Sequence, residues 1–291
     1  MKPLFGTIRG TIRTAAVAAA VVAISAVGAV PGARAEDARA TGTAMDLYYK
    51  VFIGGFHVVD LKVDIGLDPG SYRIRTDINT SGMIGRMFPW SMEAYSHGQL
   101  DDGKVAPVAA RQGNTWRGKE RYIDLTFTDG VARVERIKPK ADEDDRKKVP
   151  AALRTGAVDL ASAIMTIIEK LDTKGQCTAQ VAVFDGRRRY DLMAAPAGTD
   201  HLFASGYSPF AGPTTNCDVW IVRKAGFKDN GRSEWSAGER KAHVWMGRAF
   251  DKAPLVPARL TFQTPYGALI AYLNRATMAR GTQKQALNSD D

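Results

Sequence analysis

From Val59 to Leu67 every second residue is apolar: Val59, Leu61, Val63, Ile65 and Leu67 alternate with Asp60, Lys62 and Asp64. Side chains of an extended chain point to opposite faces in turn. A period of two therefore predicts a half-buried strand with one dry face and one wet face. After the turn Asp68-Pro69-Gly70 the pattern resumes, with Tyr72, Ile74 and Ile78 set against Arg73, Arg75, Asp77 and Asn79. The two wet faces carry opposite charges, which suits cross-strand pairing. Thr43–Phe52, ahead of Gly54-Gly55, reads as the preceding strand, so three strands make a meander.

The same pattern recurs along the chain. Arg121–Thr128 places Ile123, Leu125 and Phe127 on one face, turns at Asp129-Gly130 and continues into Val131–Lys138. Arg240–Phe250, Val256–Thr264 and Gly267–Ala276 read as a final meander. Asp102-Gly103, Asp129-Gly130, Asp185-Gly186 and Asn230-Gly231 are dipeptides that supply the positive φ angles of tight hairpins. Ten or more strands in one sheet must curl or close to manage their edges. One stretch, Ala157–Thr173, has helical spacing instead, with Leu160, Ile164, Ile167, Ile168 and Leu171 apolar and Asp159 placed to cap it. The predicted fold is mainly β: one curled antiparallel sheet, a β-spiral or half-barrel, around one main α-helix. Its expected extent is residues 36–278, with an N-terminal sheet half (43–138), a charged linker between Pro139 and Pro150, and a helix plus C-terminal sheet half (151–275). Residues 279–291 read as a disordered tail.

The N-terminus predicts export. Lys2, Arg9 and Arg13 form a basic start, Ala15–Val30 is uncharged and mostly apolar, and Ala33-Arg34-Ala35 fits a signal-peptidase site. The apolar run is short for a membrane span, so an uncleaved anchor is the weaker reading. A cut after Ala35 removes residues 1–35 with four basic and no acidic residues, lowering the net charge from +9 to +5. That excess favours approach to anionic lipid surfaces and is too diffuse for nucleic acid. Cys177 and Cys217 are the only cysteines. In an exported chain an even pair reads as a disulfide before it reads as two buried thiols.

The run Arg187-Arg188-Arg189 follows Asp185-Gly186 on an expected two-residue type I′ hairpin. Strand alternation then puts Arg187 and Arg189 on one face and Arg188 with Tyr190 on the other. The arginines are expected on a solvated hairpin; anion contact by Arg187 and Arg189 is the alternative. The segment Ser81–Trp90 breaks alternation where a connecting loop is due, yet Met83, Ile84, Met87, Phe88 and Trp90 are apolar. It reads either as a lid folded over the core or as an apolar lip at the mouth of the curled sheet. No catalytic or metal set is written. His57, His97, His201 and His243 lack ligand spacing, Ser208 lacks the strand-turn-helix setting of a nucleophile elbow, and Asp144-Asp145 lie in the linker. No cofactor motif occurs.

The segment from Cys177 through "QVAVFDGRRRYDL" to the second cysteine in "NCDVWIVRKAGF", with the later "RKAHVWMGRAFDKAPLVPARLTFQTPYGALIAYL", resembles domain of unknown function 3108, a family of exported bacterial proteins. The resemblance runs from about Thr43 to Arg275. A more distant likeness, in architecture only, is to the periplasmic β-spiral envelope-integrity proteins of domain of unknown function 1849. The resemblance implies a periplasmic, non-enzymatic role in envelope maintenance, with a lipid or an envelope protein as partner, and it brings no catalytic residues. The alternative is an exported hydrolase or glycan-acting enzyme.

Overall fold

The computed structural model describes residues 42–140, 143, 146–228 and 240–288. The expected signal peptide 1–35, Asp144-Asp145, the turn expected at Asn230-Gly231 and residues 289–291 lie outside them. Fourteen antiparallel strands form one sheet: β1 (Thr43–Ile53), β2 (Phe56–Asp68), β3 (Ser71–Thr80), β4 (Trp90–Asp101), β5 (Lys104–Trp116), β6 (Lys119–Thr128), β7 (Val131–Lys138), β8 (Ala179–Phe184), β9 (Arg189–Leu202), β10 (Gly212–Ala225), β11 (Ala242–Arg248), β12 (Leu255–Thr264), β13 (Gly267–Arg280) and β14 (Gln283–Asn288). The order is β7-β6-β5-β4-β3-β2-β1-β13-β12-β11-β10-β9-β8, with β14 beside β13. Two meanders thus run outward in opposite directions and meet where β1 pairs β13, from Thr43↔Arg280 to Ile53↔Leu269. The tail expected to be disordered instead continues as β14, because the Gly281-Thr282 turn lets Gln283–Asn288 fold back onto β13.

The outer edges, β7 and β8, are bridged by residues 155–158. Thr155 pairs with Val131, the Gly156 N–H donates to the Gly130 carbonyl at 2.7 Å, and Val158 exchanges bonds with Ala182 and Phe184 at 2.9 Å each. A short strap thereby satisfies edge groups that would otherwise be open to another chain. Ala157 and Val149 pack there with Leu125, Ala132 and Phe184. Val149 belongs to the segment read as a solvated linker, and its burial marks where that segment rejoins the core.

The helix α2 (Leu160–Lys174) lies against the concave face, touching β4, β5, β8 and β12. (The shorter α1 is Gly82–Met87.) Asp159 caps α2, accepting from the Ser162 N–H at 3.1 Å, and Gly175 closes it by donating to Leu171. Ala163 and Ile167 face Val183, Tyr190 and Leu192, and Met165 faces Tyr72 and Ile74. Cys177 and Cys217 are bonded, Cα to Cα 5.9 Å, beside Leu171, Val244 and Met246. The disulfide fixes the exit of α2 to β10. Where α2 meets the sheet, the Tyr72 hydroxyl lies 2.6 Å from the Ser162 hydroxyl, and both Ser96 and Ser162 donate to the Asp159 carboxylate. Burial pushes the Asp159 carboxyl above the usual carboxylate range, against the pull of the hydrogen bonds from Ser162 and Ser96.

Strands of a meander turn at alternate ends, which gives the barrel two unlike ends. The connections β1–β2, β3–β4 (through α1), β5–β6, β8–β9 and β12–β13 gather at one end, here the mouth. The turns Pro69-Gly70, Asp102-Gly103, Asp129-Gly130 and Gly281-Thr282 gather at the other, the base, which the C-terminal turn of α2 approaches at Gly103. The convex face carries charge pairs, along one strand in Lys62–Asp64 and Arg75–Asp77 and across strands in Asp124 with both Arg111 and Arg136. A barrel lying in lipid shows an apolar band there instead.

Replacing both Cys177 and Cys217 by Ser is expected to cost about 2–4 kcal/mol, read as a lower urea midpoint, since a loop of 40 residues is no longer closed in the unfolded chain. Asp159→Asn tests the buried carboxyl. A carboxyl raised by folding stabilises the fold fully below its unfolded pKa, and that contribution is lost as pH rises through the folded value. The melting temperature of the variant minus that of the natural chain should therefore climb as pH rises above about 4, the ordinary carboxylate value. A difference that stays flat over this range would show that Asp159 titrates normally.

Candidate functional site

Strand alternation sets what lines the mouth. On β5, Ala110 is buried toward the helix, so Gln112, Asn114 and Trp116 share its face. On β6, Leu125 is buried, so Ile123 and Arg121 share its face, and on β4 Ser96 brings Trp90 with it. Near the base these positions meet α2. Near the mouth α2 no longer reaches them, and two adjoining cavities open.

The first, of about 450 Å³, is lined by Thr80, Phe88, Trp90, Asn114, Trp116 and Arg121. Thr80 sets its wall by accepting from the Trp90 N–H at 2.9 Å and donating to the Phe88 carbonyl at 3.1 Å. The second, of about 170 Å³, is basic: Arg121, Lys138, Arg146, Arg187 and Arg188 surround one carboxylate, Asp185. Asn114 and Arg121 line both, so an aromatic compartment runs into a cationic one. Neither is lined by a histidine.

The segment expected as a loop or lid is a six-residue helix, α1, followed at once by β4. Its Gly85 sits so close to β3 that an added Cβ would lie 2.6 Å from the Thr80 carbonyl oxygen. No residue of α1 is buried, and Met83 and Met87 are 75 % and 62 % exposed. The segment therefore stands at the rim and does not close over the core. Of its apolar residues, Phe88 and Trp90 turn into the cavity, while Met83, Ile84 and Met87 stay on the rim.

The arginine run is divided differently from the alternation expected. Asp102 and Asp129 both take positive φ in two-residue turns, but Asp185 does not, and the β8–β9 connection has four residues, 185 to 188. Asp185 organises it by accepting from the Arg187 and Arg188 N–H groups, at 3.0 and 2.7 Å. Gly186 (φ 86°) is required here, since a Cβ would lie 2.4 Å from Ile123 of β6. Strand alternation thus begins only at Arg189, and Arg187 and Arg188 both reach the basic cavity. Arg187 donates to the Pro139 carbonyl, and Arg188 pairs with Asp185 at 2.7 Å and lies over Phe227, not Tyr190. Arg189 points elsewhere. Its side chain is 11 % exposed, paired with Asp191 at 2.5 Å and donating to the Leu153 carbonyl. Burial raises the Asp191 carboxyl, but Arg189, Gln180 and Lys224 outweigh it and hold the group below the usual range.

The other candidates are spread through the fold. His57, His97, His201 and His243 occupy β2, β4, β9 and β11, and His57 and His243 pair with Asp60 and Asp218. The buried Ser208 hydroxyl donates to the Leu273 carbonyl at 2.6 Å, beside the bulge that displaces Asn274 from the β1–β13 ladder. Among the described residues no cluster of three or more His, Cys, Asp or Glu could hold a metal ion. Sequence reasoning missed Asn114, Trp116, Arg121, Lys138 and Arg146. A signal was present for Arg121: alternation places it on the face of Ile123 and Leu125, an unusual site for a cation unless that face opens to water.

Among curated proteins none matches this chain. Of solved structures, it is similar to the beta-barrel-like protein of domain of unknown function DUF1849 from Brucella abortus, at 11 % identity and a TM-score of 0.48, covering 83 % of this chain and 99 % of that one. It is also similar to a candidate lipoprotein from Parabacteroides distasonis, at 10 % identity and a TM-score of 0.31, covering 83 % and 95 %. A family profile matches residues 46–274, from β1 to the bulge of β13, and with that match over most of its length the chain belongs to the family described as protein of unknown function (DUF3108).

Proposed function

We propose that this chain is an exported envelope protein that binds an anionic amphiphile at its mouth and carries out no covalent chemistry. The observation that carries the reading is the continuity of the two cavities through Asn114 and Arg121. Phe88, Trp90 and Trp116 offer flat apolar walls to a hydrocarbon chain, and Arg121, Lys138, Arg187 and Arg188 offer donors to a negatively charged head. The larger cavity falls in the size range of small-molecule sites. The rest of the concave face is packed by α2 against β4, β5, β8 and β12 and by Phe210 and Ala253 against β1 and β13, so the ligand is assigned to the mouth and not to the whole curl of the sheet.

Export is supported by the disulfide, since such bonds persist in oxidising compartments such as the periplasm. Binding rather than catalysis is supported by how the candidate groups are occupied: Ser208 serves a backbone carbonyl, and His57 and His243 serve strand pairs. A hydrolase or glycan-acting enzyme would call for a polar cleft that gathers a histidine with carboxylates. The mouth gathers cations and aromatic rings.

A lysophosphatidylglycerol with a brominated chain, added to protein recovered from the periplasm of an expressing bacterium, should quench tryptophan emission. The quenching should largely vanish in a Trp90→Phe, Trp116→Phe variant. Arg121→Gln should weaken binding at least about tenfold, the scale of a lost hydrogen bond to a charged group. Equal affinity for the Arg121 variant, or no quenching in the natural chain, would refute the assignment.

A further inference from the structure

Four exposed apolar side chains of the mouth rim lie outside the lining of the cavities. Phe56, beside the β1–β2 turn, is 75 % exposed, Met83 and Met87 of α1 are 75 % and 62 %, and Tyr266 in the β12–β13 turn is 84 %. They come from three separate connections that the topology brings to one end. Cations stand among them: Arg86 on α1, and Arg117 and Lys119 around the β5–β6 turn, all exposed. None of the three forms an ion pair among the described residues, although Arg117 lies over the Trp116 ring at 5.5 Å. Of the described acidic residues nearby, Glu120 is engaged by Lys138, Asp185 by Arg188, and the exposed Glu143 accepts from the Lys140 N–H.

The base is built the other way. Its turns carry Asp68, Asp101, Asp102, Asp129 and Asp251, with Lys104, Lys252, Arg280 and Lys284 beside them and Arg73 paired to Asp68. One exposed aromatic, Phe203, sits at that end without a basic cluster around it. The two ends therefore differ: the mouth gathers apolar tips among cations that form no ion pair among the described residues, and the base mixes carboxylates with basic side chains.

We propose that the rim is a membrane-docking surface that seats the barrel mouth-down on an anionic bilayer. The occupant follows from the chemistry. Flexible methionines and isolated aromatic rings suit the interface between headgroups and acyl chains, where side chains with apolar bodies insert shallowly. Arginine and lysine that form no ion pair among the described residues suit the negative surface potential of that interface, and the mixed-charge base faces away from it. A protein partner would bury a continuous patch, whereas these tips are separate points around an opening. Docked this way, the cavities of the mouth open at the headgroup level. The surface is argued from residues that do not line the cavities, so it stands whether or not the amphiphile reading does.

The test is co-sedimentation of the periplasm-processed chain with vesicles of phosphatidylcholine alone or mixed with phosphatidylglycerol. Binding should require phosphatidylglycerol and weaken as salt is raised. Changing Arg86, Arg117 and Lys119 together to Ser should reduce partitioning about hundredfold, with each cation near the surface contributing about fivefold. Phe56→Ser with Met83→Ser and Met87→Ser should reduce it by a similar order. A Lys104→Ser, Lys252→Ser variant, altered only at the base, should bind like the natural chain, and circular dichroism of all variants controls for folding. Equal binding to both vesicle types, no binding to either, or equal loss on altering the base would overturn the proposal. Loss of vesicle binding in the rim variants with brominated-lipid quenching retained would separate docking from cargo capture.

Discussion

The ladder between β1 and β13 holds this fold together. It joins residues about as far apart in sequence as the described chain allows, Thr43 with Arg280 and Ile53 with Leu269. Both halves are meanders whose pairings are local and whose register is set by short turns. Each half alone would leave β1 or β13 as a long open edge with apolar residues on one face. Once the ladder forms, Met45, Leu47 and Tyr49 line up with Leu273, Ala276 and Met278, and the largest core cluster exists. Tyr49 is so deeply buried there that its hydroxyl is pushed well above the ordinary tyrosine range.

Closure at the far edges follows from the length of the sheet. A twisted sheet of this many strands curls until β7 and β8 face one another across a gap too wide for direct pairing. The four residues 155–158 fill that gap and then lead into α2, so the strap and the plug are one continuous piece of chain. The strap runs from the base end of β7, at Gly130 and Val131, to the last residues of β8, Ala182 and Phe184. Beyond it the edges meet through the β8–β9 connection, with Gly186 against Ile123 and Arg187 on the Pro139 carbonyl.

The mouth is a consequence of helix length and sheet height. α2 is fifteen residues long and stays toward the base, whereas β4 and β5 run twelve and thirteen residues to the rim. Core-facing positions beyond the reach of the helix cannot be buried by it. The sequence fills them with Asn114, Trp116, Arg121 and Trp90 instead of aliphatic residues. Polar and aromatic groups thus converge where packing would demand Leu or Val. The ends differ as well: exposed apolar tips and cations gather at the mouth, while the base turns mix both signs of charge.

Much of this was legible in the residues themselves. Period-two alternation, the paired cysteines and the helical spacing from Leu160 to Leu171 determined a mainly β sheet, its turns, one capped helix and a family. These signals are local, because a strand's two faces and a helix's apolar stripe are written within ten or fifteen residues. The position of the arginines was misread for the same reason. Alternation was applied from Arg187, while Asp185 held a four-residue turn and delayed the strand to Arg189. The tail was misread because Gln283–Asn288 has no apolar alternation and gains its structure only from the free edge groups of β13. Only the tertiary structure decided that β1 meets β13, that residues 155–158 bridge the edges, and that Arg121, Lys138 and Arg187 share one cavity. Those facts depend on which strand lies beside which and on how far a sheet curls. That is a sum of twists over the whole molecule, which no short stretch of sequence contains.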